Sequence, residues 1–304
     1  MISATVQGIF AEFVPKEHIL LQEPMKKHTT FQVGGEADCL IIIEKEKELT
    51  SLLKYLNQIE LPYFVLGNGS NLLVSDLGYR GIVLKTKGSL AQITVDGSRI
   101  TAQAGALLSQ AAKAAYEHGL TGLEFAAGIP GTVGGAVVMN AGAYGGEMAQ
   151  VVSQVQVADR EGEILTMDNE TMEFGYRTSV VKNHPFVVTQ VEFLLEPGSK
   201  DRIKERLDEL AAARRAKQPL EFPSAGSTFK RPEGYFAGKL IMDAGFRGYS
   251  VGGAQVSEKH CGFVINKGNA LAQDISDLME EVTEGVYDKF HVRLESEVIK
   301  IGSF

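Results

Sequence analysis

Several features that would restrict function are scarce or missing in this chain of 304 residues. It has two cysteines, Cys39 and Cys261, and no C-x-x-C pair, which argues against a disulfide framework. The apolar run from Cys39 to Ile43 is far too short to cross a bilayer. The N-terminus lacks a basic region followed by a continuous apolar stretch. We therefore expect a cytoplasmic protein that does not associate with a membrane.

Positive charge and metal-binding patterns are also scarce. The formal net charge is -8, and an acidic chain is by default a poor nucleic-acid binder, so we expect no nucleic-acid partner. The six histidines are scattered, and none has the H-x-x-x-H spacing of a zinc site. We therefore expect no metal ion. A chain of this length usually forms two or more domains.

Glycine, in contrast, is concentrated in one segment. Between Ala126 and Glu147 seven positions are glycine, where an average usage of ~7% would give one or two. Glycine costs backbone entropy, so this density favours main-chain N–H groups that approach an anion closely, as phosphate-binding loops do. A second segment of this kind reads Gly67-Asn-Gly-Ser-Asn71. Two such segments predict a large diphosphate cofactor, although either one alone fits a tight turn equally well.

The glycine segments do not match the familiar nucleotide-binding fingerprints. The nearest approach to G-x-G-x-x-G begins at Gly67 and has Leu72 where the third glycine belongs. No G-x-x-x-x-G-K-[ST] segment is present either. The sequence therefore predicts neither a Rossmann protein nor a P-loop NTPase.

Hydrophobic periodicity predicts three successive parts of the chain. The first is a small α/β unit, with strands at 38–43, 63–66, 71–74 and 81–84 and a helix at 44–58. The second is a mainly antiparallel sheet with a helix, in segments 91–95, 99–103, 107–117, 151–158, 163–166 and 187–195. Asp96-Gly97 predicts a hairpin turn between its first two strands. The third contains helices at 200–217 and 271–290 and strands at 262–266 and 291–301. The helix at 271–290 has an apolar stripe that we expect in the core, formed by Ile275, Leu278, Met279, Val282, Val286 and Phe290. We accordingly expect domains at 1–85, 86–200 and 201–304.

Three polar residues stand in segments that could carry chemistry, but each also fits a structural role. Arg177 fits a surface or ion-pair arginine, and Ser227 beside a glycine fits a turn. Glu297 lies in the predicted last strand, where a carboxylate usually faces solvent. Glu295 shares its face by the period of two, so spacing alone does not choose between the two glutamates.

The motifs together resemble the UDP-N-acetylenolpyruvoylglucosamine reductase family, in family order and from His28 almost to the C-terminus. The segments that carry the resemblance are HTTFQVGG (28–35), GNGSNLLVS (67–75), AGIPGTVGG (127–135), NAGAYGG (140–146), FGYRTS (174–179), AGSTFK (225–230), GGAQVSEKH (252–260) and LESEV (294–298). The resemblance implies an α+β protein with a two-subdomain FAD-binding fold of the vanillyl-alcohol-oxidase type and a C-terminal α+β substrate domain. It also implies an enzyme of peptidoglycan precursor synthesis that uses NADPH to reduce a UDP-sugar.

The same resemblance assigns site residues by their match to the family motifs. The implied catalytic residues are Arg177, Ser227 and Glu297. Arginine would stabilise an enolate-like charge, serine would protonate the carbon, and glutamate would assist them. The implied FAD-binding residues are Gly67, Asn68, Gly69, Ser70, Asn71, Gly128, Ile129, Pro130, Gly131, Gly134 and Gly135. For the substrate we expect Tyr176, Lys230 and Arg231, and we expect FAD to be bound without a covalent link.

The segment between Arg177 and Ser227 distinguishes between two subclasses of the family. Some members carry an extra segment with a tyrosine between the arginine and the serine, but no tyrosine lies between Arg177 and Ser227 here. The chain therefore resembles the second subclass, which lacks that loop. A flavin-dependent oxidase of the same fold and a non-catalytic flavin-binding protein are the alternatives. The oligomeric state stays open, with a monomer slightly favoured.

Overall fold

A computed structural model describes residues 4–304, with side chains from residue 7 onward. The N-terminal segment discussed above and the predicted domain 1–85 both begin with residues 1–3, which lie outside the described part. Among the helices described, none combines the length and apolar character needed to cross a membrane.

Helices and strands are distributed along the whole described chain. The α-helices are α1 (Ala4–Phe10), α2 (Glu46–Gln58), α3 (Leu108–Glu117), α4 (Val133–Val138), α5 (Val180–Asn183), α6 (Lys200–Lys217), α7 (Ala237–Ala244) and α8 (Ala272–Phe290). The strands up to residue 121 are β1 (Ile19–Pro24), β2 (Glu36–Ile43), β3 (Tyr63–Leu66), β4 (Leu72–Val74), β5 (Tyr79–Thr86), β6 (Ile93–Asp96), β7 (Arg99–Gln103) and β8 (Leu120–Thr121). The later strands are β9 (Gly142–Ala143), β10 (Gly146–Glu147), β11 (Val152–Ala158), β12 (Ile164–Asp168), β13 (Val187–Leu194), β14 (Glu196–Pro197), β15 (Ser250–Val251), β16 (Ala254–Val256), β17 (Val264–Asn266) and β18 (Ile299–Ile301).

The chain divides into two compact units that are both discontinuous in sequence. Unit 1 comprises Met1–Leu21, Cys39–Asn68 and Gly81–Ala213, and unit 2 comprises Gln22–Asp38, Gly69–Arg80 and Arg214–Phe304. This division does not test the three domains expected from the sequence, which therefore stay a prediction.

Unit 1 contains most of the predicted α/β element, but the strand expected at 71–74 corresponds to β4, which lies in unit 2 and pairs with β18. A sheet with the order β1-β2-β5-β3 places β3 parallel to β5, with Leu66 opposite Lys85. The leucines of α2 are fully buried against one face of this sheet, because they recur at helical spacing. They are Leu49, Leu52, Leu53 and Leu56. The parallel strands place the Gly67 segment directly after the carboxyl end of β3.

The predicted antiparallel sheet also lies in unit 1 and is confirmed. Its order is β12-β11-β13-β7-β6, and every neighbouring pair is antiparallel. Asp96 pairs with Arg99, so the predicted hairpin turns through Gly97 and Ser98. Gly97 has a φ of 57°, a conformation that glycine adopts without a steric penalty.

Unit 2 is built around α8, whose predicted apolar stripe is buried. Its buried residues include Ile275, Leu278, Met279, Val282 and Val286, and they pack with residues of α7 and of the sheet β15-β16-β17. The two carboxylate oxygens of Asp76 accept hydrogen bonds from the main-chain N–H groups of Ala272 and Gln273, each at 2.9 Å. Since these are the first two helical N–H groups, Asp76 caps α8 from a distant part of the chain.

The predicted terminal strand over 291–301 is wrong in extent. The structure has a strand only at Ile299–Ile301, which pairs with β4 in parallel. Because β4 is three residues long and begins at Leu72, this pairing begins only at Ile299. Just before the strand, Ser296 instead forms an isolated antiparallel bridge with Phe229. Residues 295–297 are therefore held by a different partner from that of the strand.

We expect Asp76→Ala to lower the free energy of unfolding by about 1–2 kcal/mol, because two helix N–H groups lose their acceptor and the helix dipole loses a compensating charge. Urea denaturation followed by circular dichroism measures this. Asp288→Asn is the matched control, since Asp288 is exposed near the other end of the same helix. An unchanged stability in the Asp76 variant would contradict the capping role.

Candidate functional site

Within unit 1 the first glycine segment contacts the second. A Cβ on Gly67 would lie 2.5 Å from Oγ1 of Thr132, so glycine is required for this approach. The next residue, Asn68, donates a hydrogen bond from Nδ2 to the carbonyl oxygen of Pro130 at 2.6 Å. The two segments that together predict a diphosphate cofactor are thus adjacent at these four residues.

The second glycine segment is packed on one side and exposed on the other. The N–H of Gly134 donates to the carbonyl oxygen of Ala104 at 2.9 Å, and a Cβ on Gly134 would lie 2.8 Å from Cβ of Ala104. Gly128 and Gly135, in contrast, are exposed. The segment therefore presents main chain without side chains to solvent, which fits close approach of a diphosphate.

The rest of the first segment, from Gly69 to Asn71, belongs to unit 2. Gly69 has a φ of 63°, and a Cβ there would collide with the main-chain oxygen of His28. Its own carbonyl oxygen accepts a hydrogen bond from the N–H of Thr30 at 3.1 Å. Backbone packing therefore fixes this part of the segment, including Ser70.

Arg177 occupies a strained turn in unit 1. Gly175 and Thr178 exchange main-chain hydrogen bonds of 3.1 and 3.3 Å, which encloses Tyr176 and Arg177 in a two-residue loop. Arg177 has a φ of 57°, in the left-handed region that disfavours residues other than glycine, asparagine and aspartate. Its guanidinium carbon lies 5.2 Å from the ring centre of Tyr176, which is 55% exposed. The turn presents a cation and an aromatic ring together.

Ser227 and Glu297 lie on paired backbone segments of unit 2. The N–H of Glu297 donates to the carbonyl oxygen of Thr228 at 2.9 Å. Thr228 is fully buried, and its Oγ1 accepts a hydrogen bond from the N–H of Val264 at 2.9 Å. Ser227 is exposed and Glu297 half-buried. The structure thus brings the residue next to Ser227 against Glu297, whereas Arg177 lies in the other unit.

The two glutamates of the LESEV segment have different surroundings. Glu295 is 71% exposed and forms an ion pair with Nζ of Lys230 at 2.9 Å. The hydrogen bond from Lys230, together with its charge, lowers the pKa of the Glu295 carboxyl. A carboxyl that is held ionised in this way is a poor source of protons.

Arg231, the predicted substrate residue that follows Lys230, contacts two exposed aromatic residues. The guanidinium carbon of Arg231 lies 4.0 Å from the ring centre of Phe236, and its Nε donates to the carbonyl oxygen of Tyr235 at 3.2 Å. Tyr235 and Phe236 are 47% and 60% exposed. Arg231 is therefore not a simple surface arginine, because its guanidinium stacks on a ring.

Several residues near these segments were missed by the sequence reasoning. His260 accepts a hydrogen bond at Nδ1 from the N–H of Gly262 at 3.1 Å, which places its proton on Nε2. Burial lowers the pKa of this histidine, so the neutral form is favoured. Thr228 and Asn140 likewise hold main-chain groups next to the predicted residues. Only the family motifs pointed to these segments, and no spacing marked these residues individually.

Metal ligands do not cluster in residues 4–304, where no group of three or more His, Cys, Asp or Glu side chains is placed to hold an ion. The expectation of a metal-free protein stays a prediction.

Two family models match the chain. Residues 37–168 match an FAD binding domain, and residues 218–301 match the C-terminal domain of UDP-N-acetylenolpyruvoylglucosamine reductase. These matches confirm the predicted fold class and identify FAD as the cofactor.

Curated relatives and a solved structure agree with the family models. The UDP-N-acetylenolpyruvoylglucosamine reductase of Caldanaerobacter subterraneus subsp. tengcongensis is 51% identical over 291 residues, which cover 96% of each chain. The enzyme of the same name from Clostridioides difficile is 51% identical over 94% of each chain. The crystal structure of the Thermus caldophilus reductase matches with a TM-score of 0.81 and 38% identity, over 93% of this chain and 98% of that one.

A more distant structure matches in fold alone. A Phl p 4 variant described as a glucose oxidase has a TM-score of 0.50 and 17% identity over 64% of this chain and 44% of that one. The similarity of the reductases is far greater in both identity and coverage. The chain therefore belongs to the UDP-N-acetylenolpyruvoylglucosamine reductase family of FAD-dependent oxidoreductases.

Proposed function

We propose that this chain reduces the enolpyruvyl ether of UDP-N-acetylenolpyruvoylglucosamine to the lactyl ether of UDP-N-acetylmuramate, a step of peptidoglycan precursor synthesis. When bound, FAD supplies the redox chemistry by taking hydride from NADPH and delivering it to the enolpyruvyl double bond. The observation that carries the proposal is the pairing that holds Glu297 against Thr228, the neighbour of Ser227.

Arg177 has the role of stabilising negative charge on the substrate. Hydride addition to one carbon of the double bond moves its electron pair to the other carbon, next to the substrate carboxylate. A guanidinium binds such an enolate-like group through two parallel hydrogen bonds. The left-handed backbone of Arg177 supports this role, since strain of about 1–3 kcal/mol at one residue is typical of functional positions.

Ser227 and Glu297 have the role of supplying a proton to the same carbon. The electron pair left by hydride addition takes the proton of the Ser227 hydroxyl. Serine is a weak acid, so its oxygen needs a nearby group that polarises it or returns the proton. Glu297 is that group in our proposal. Glu295 is the weaker candidate, because Lys230 holds its carboxyl in the ionised form.

We assign FAD binding to the two glycine segments, without a covalent link. The residues are Gly67, Asn68, Gly69, Ser70, Asn71, Gly128, Ile129, Pro130, Gly131, Gly134 and Gly135. The contact of Gly67 and Asn68 with the second segment supports this assignment, because it brings the two segments together at one place in unit 1.

The UDP-sugar is assigned to Tyr176, Lys230 and Arg231. Lys230 is paired with Glu295, but an exposed ion pair is worth at most about 1 kcal/mol, so a diphosphate can replace the carboxylate. Arg231 already stacks on Phe236, and its guanidinium keeps donors at its edge for an anion. Tyr176 is assigned to the sugar or pyruvyl end.

The remaining assignments concern partners and compartment. We propose a cytoplasmic enzyme that binds neither nucleic acid nor membrane, in keeping with the net charge of -8. We favour a monomer over an oligomer.

The activity itself is tested with the purified holoenzyme. We expect a yellow protein that releases its flavin into the supernatant on acid precipitation. It should oxidise NADPH only when the enolpyruvyl sugar nucleotide is present. Oxygen consumption with an alcohol and no NADPH would indicate a flavin oxidase instead, and a yellow protein without turnover would indicate a non-catalytic flavin-binding protein.

We expect Ser227→Ala to separate the two half-reactions. The serine acts only after hydride reaches the substrate, so NADPH should still reduce the flavin at close to the normal rate. Reoxidation of the flavin by the enolpyruvyl substrate should fall about 10²-fold or more, the usual range for loss of a proton donor. Stopped-flow absorbance measures both rates. An equal loss in both half-reactions would show that Ser227 has a different role.

We expect Glu297→Gln to slow substrate-dependent reoxidation strongly, by about 10²-fold, because the amide keeps the size but removes the acid. Glu295→Gln is the matched control two residues away and should cost little, since it loses only an exposed ion pair. Flavin content, measured by absorbance, should be unchanged in both. A larger loss in the Glu295 variant would overturn the assignment.

A further inference from the structure

Asn71, at the end of the first glycine segment, is bonded to Glu297. Its Nδ2 donates to the carbonyl oxygen of Glu297 at 2.9 Å, and its own carbonyl oxygen accepts from the N–H of Ile299 at 3.0 Å. Asn71 directly precedes β4, which pairs with β18 from Leu72 and Ile299 onward. The side-chain amide of Asn71 therefore adds a link to Glu297, which lies before the first paired residue of β18.

Both main-chain polar groups of Glu297 are consequently held. Its N–H donates to Thr228, and its carbonyl oxygen accepts from Asn71. Thr228 is itself anchored, since its N–H donates to the carbonyl oxygen of Gly262 at 2.8 Å and its Oγ1 accepts from the N–H of Val264. Fixing both sides of one peptide residue fixes the direction of its Cα–Cβ bond, and with it the region that the carboxylate can reach.

Asn140 in unit 1 likewise forms side-chain hydrogen bonds to main-chain groups near a predicted catalytic residue. It is 1% exposed, and its Nδ2 donates to the carbonyl oxygen of Gly175 at 3.0 Å. Its Oδ1 accepts from the N–H of Ala149 at 2.9 Å. Gly175 is the residue that closes the strained turn around Arg177. Asn140 thus holds the base of the turn that presents the guanidinium.

We propose that Asn71 and Asn140 are positioning residues for Glu297 and Arg177, respectively. The inference rests on the proposed function, since it takes the roles of Glu297 and Arg177 from there. Each asparagine comes from a glycine-rich segment and sets the geometry of one catalytic side chain within its own unit. Neither needs to touch the substrate.

Aspartate is the informative substitution at both positions. Asn71→Asp and Asn140→Asp keep the size but replace the amide donor by a carboxylate oxygen, which faces the carbonyl oxygen and repels it. Aspartate also tolerates the φ of 41° at position 140. We expect reoxidation of the reduced flavin by the enolpyruvyl substrate to fall about 10- to 100-fold, as small misplacements of catalytic groups do. Flavin content is measured in both variants, because Asn71 is itself among the residues assigned to FAD.

A double-mutant cycle separates positioning from general damage. If Asn71 acts through Glu297, Asn71→Asp should cost almost nothing further in a Glu297→Gln background. Asn140→Asp should likewise add almost nothing to Arg177→Lys. If the two substitutions acted independently, the rate losses of the single variants would multiply in the double variant. The rate at which NADPH reduces the flavin is measured alongside, so that an effect on the cofactor is told apart from an effect on substrate reduction.

A matched control comes from an asparagine that binds a carbonyl group elsewhere. Nδ2 of Asn266 donates a hydrogen bond to the carbonyl oxygen of Phe31. Asn266→Asp should lower the melting temperature yet leave the reoxidation rate of the folded holoenzyme unchanged. If an aspartate variant at 71 or 140 does not fold, Asn71→Ala and Asn140→Gly take its place, since glycine accepts a positive φ.

The outcomes are distinguishable. Normal reoxidation in Glu297→Gln and Arg177→Lys would overturn the proposed residue roles, and the positioning inference with them. Slow reoxidation in those two variants combined with normal rates in the asparagine variants would overturn the inference alone. Multiplying losses, or flavin lost in proportion to activity, would also overturn it, because the asparagines would then act on the fold or the cofactor. A loss confined to substrate reoxidation and absorbed by the catalytic substitutions supports it.

Discussion

Main chain packed directly on main chain is the constraint on which this structure depends. At Gly69 a side chain would collide with the carbonyl oxygen of His28, and at Gly35 with that of Asp76. At Gly67 it would meet Thr132. The absence of side chains at such positions lets distant segments come within hydrogen-bond distance. The hydrogen bonds of Asn68 to Pro130 and of Asn71 to Glu297 follow from this closeness.

The sequence predicted much of the fold because most elements carry a local pattern. Helix α6 has the predicted bounds, and the hairpin at Asp96 and Gly97 was marked by its turn residues. The terminal strand was overextended, since alternation in residues 291–301 does not reveal that β4 offers only three partners. Strand length is set here by the partner, which a local pattern does not contain.

The site could be located from the sequence only in part. Glycine density marked both segments that are assigned to FAD, and the family motifs marked Arg177, Ser227 and Glu297. The hydrogen bonds that hold Glu297 and the turn of Arg177 were not predictable, because they join residues that are 226 and 35 positions apart in the sequence. The alternating sequence pattern also did not reveal that Glu295 and Glu297 have different surroundings. This difference arises from an ion pair with Lys230, which only the register of the two segments creates.

In the proposed mechanism, the backbone of Arg177 places stability and activity in opposition at one position. Glycine would adopt a φ of 57° without strain and would relieve roughly 1 kcal/mol or more, yet it would remove the guanidinium. A library of variants selected for heat resistance alone would therefore discard this arginine, whereas selection for growth that needs the enzyme would retain it. Replacing Arg177 with glycine, the residue that ordinary turns favour at this φ, would therefore be a poor way to stabilise the enzyme. Gains in thermal tolerance have to come from other parts of the molecule.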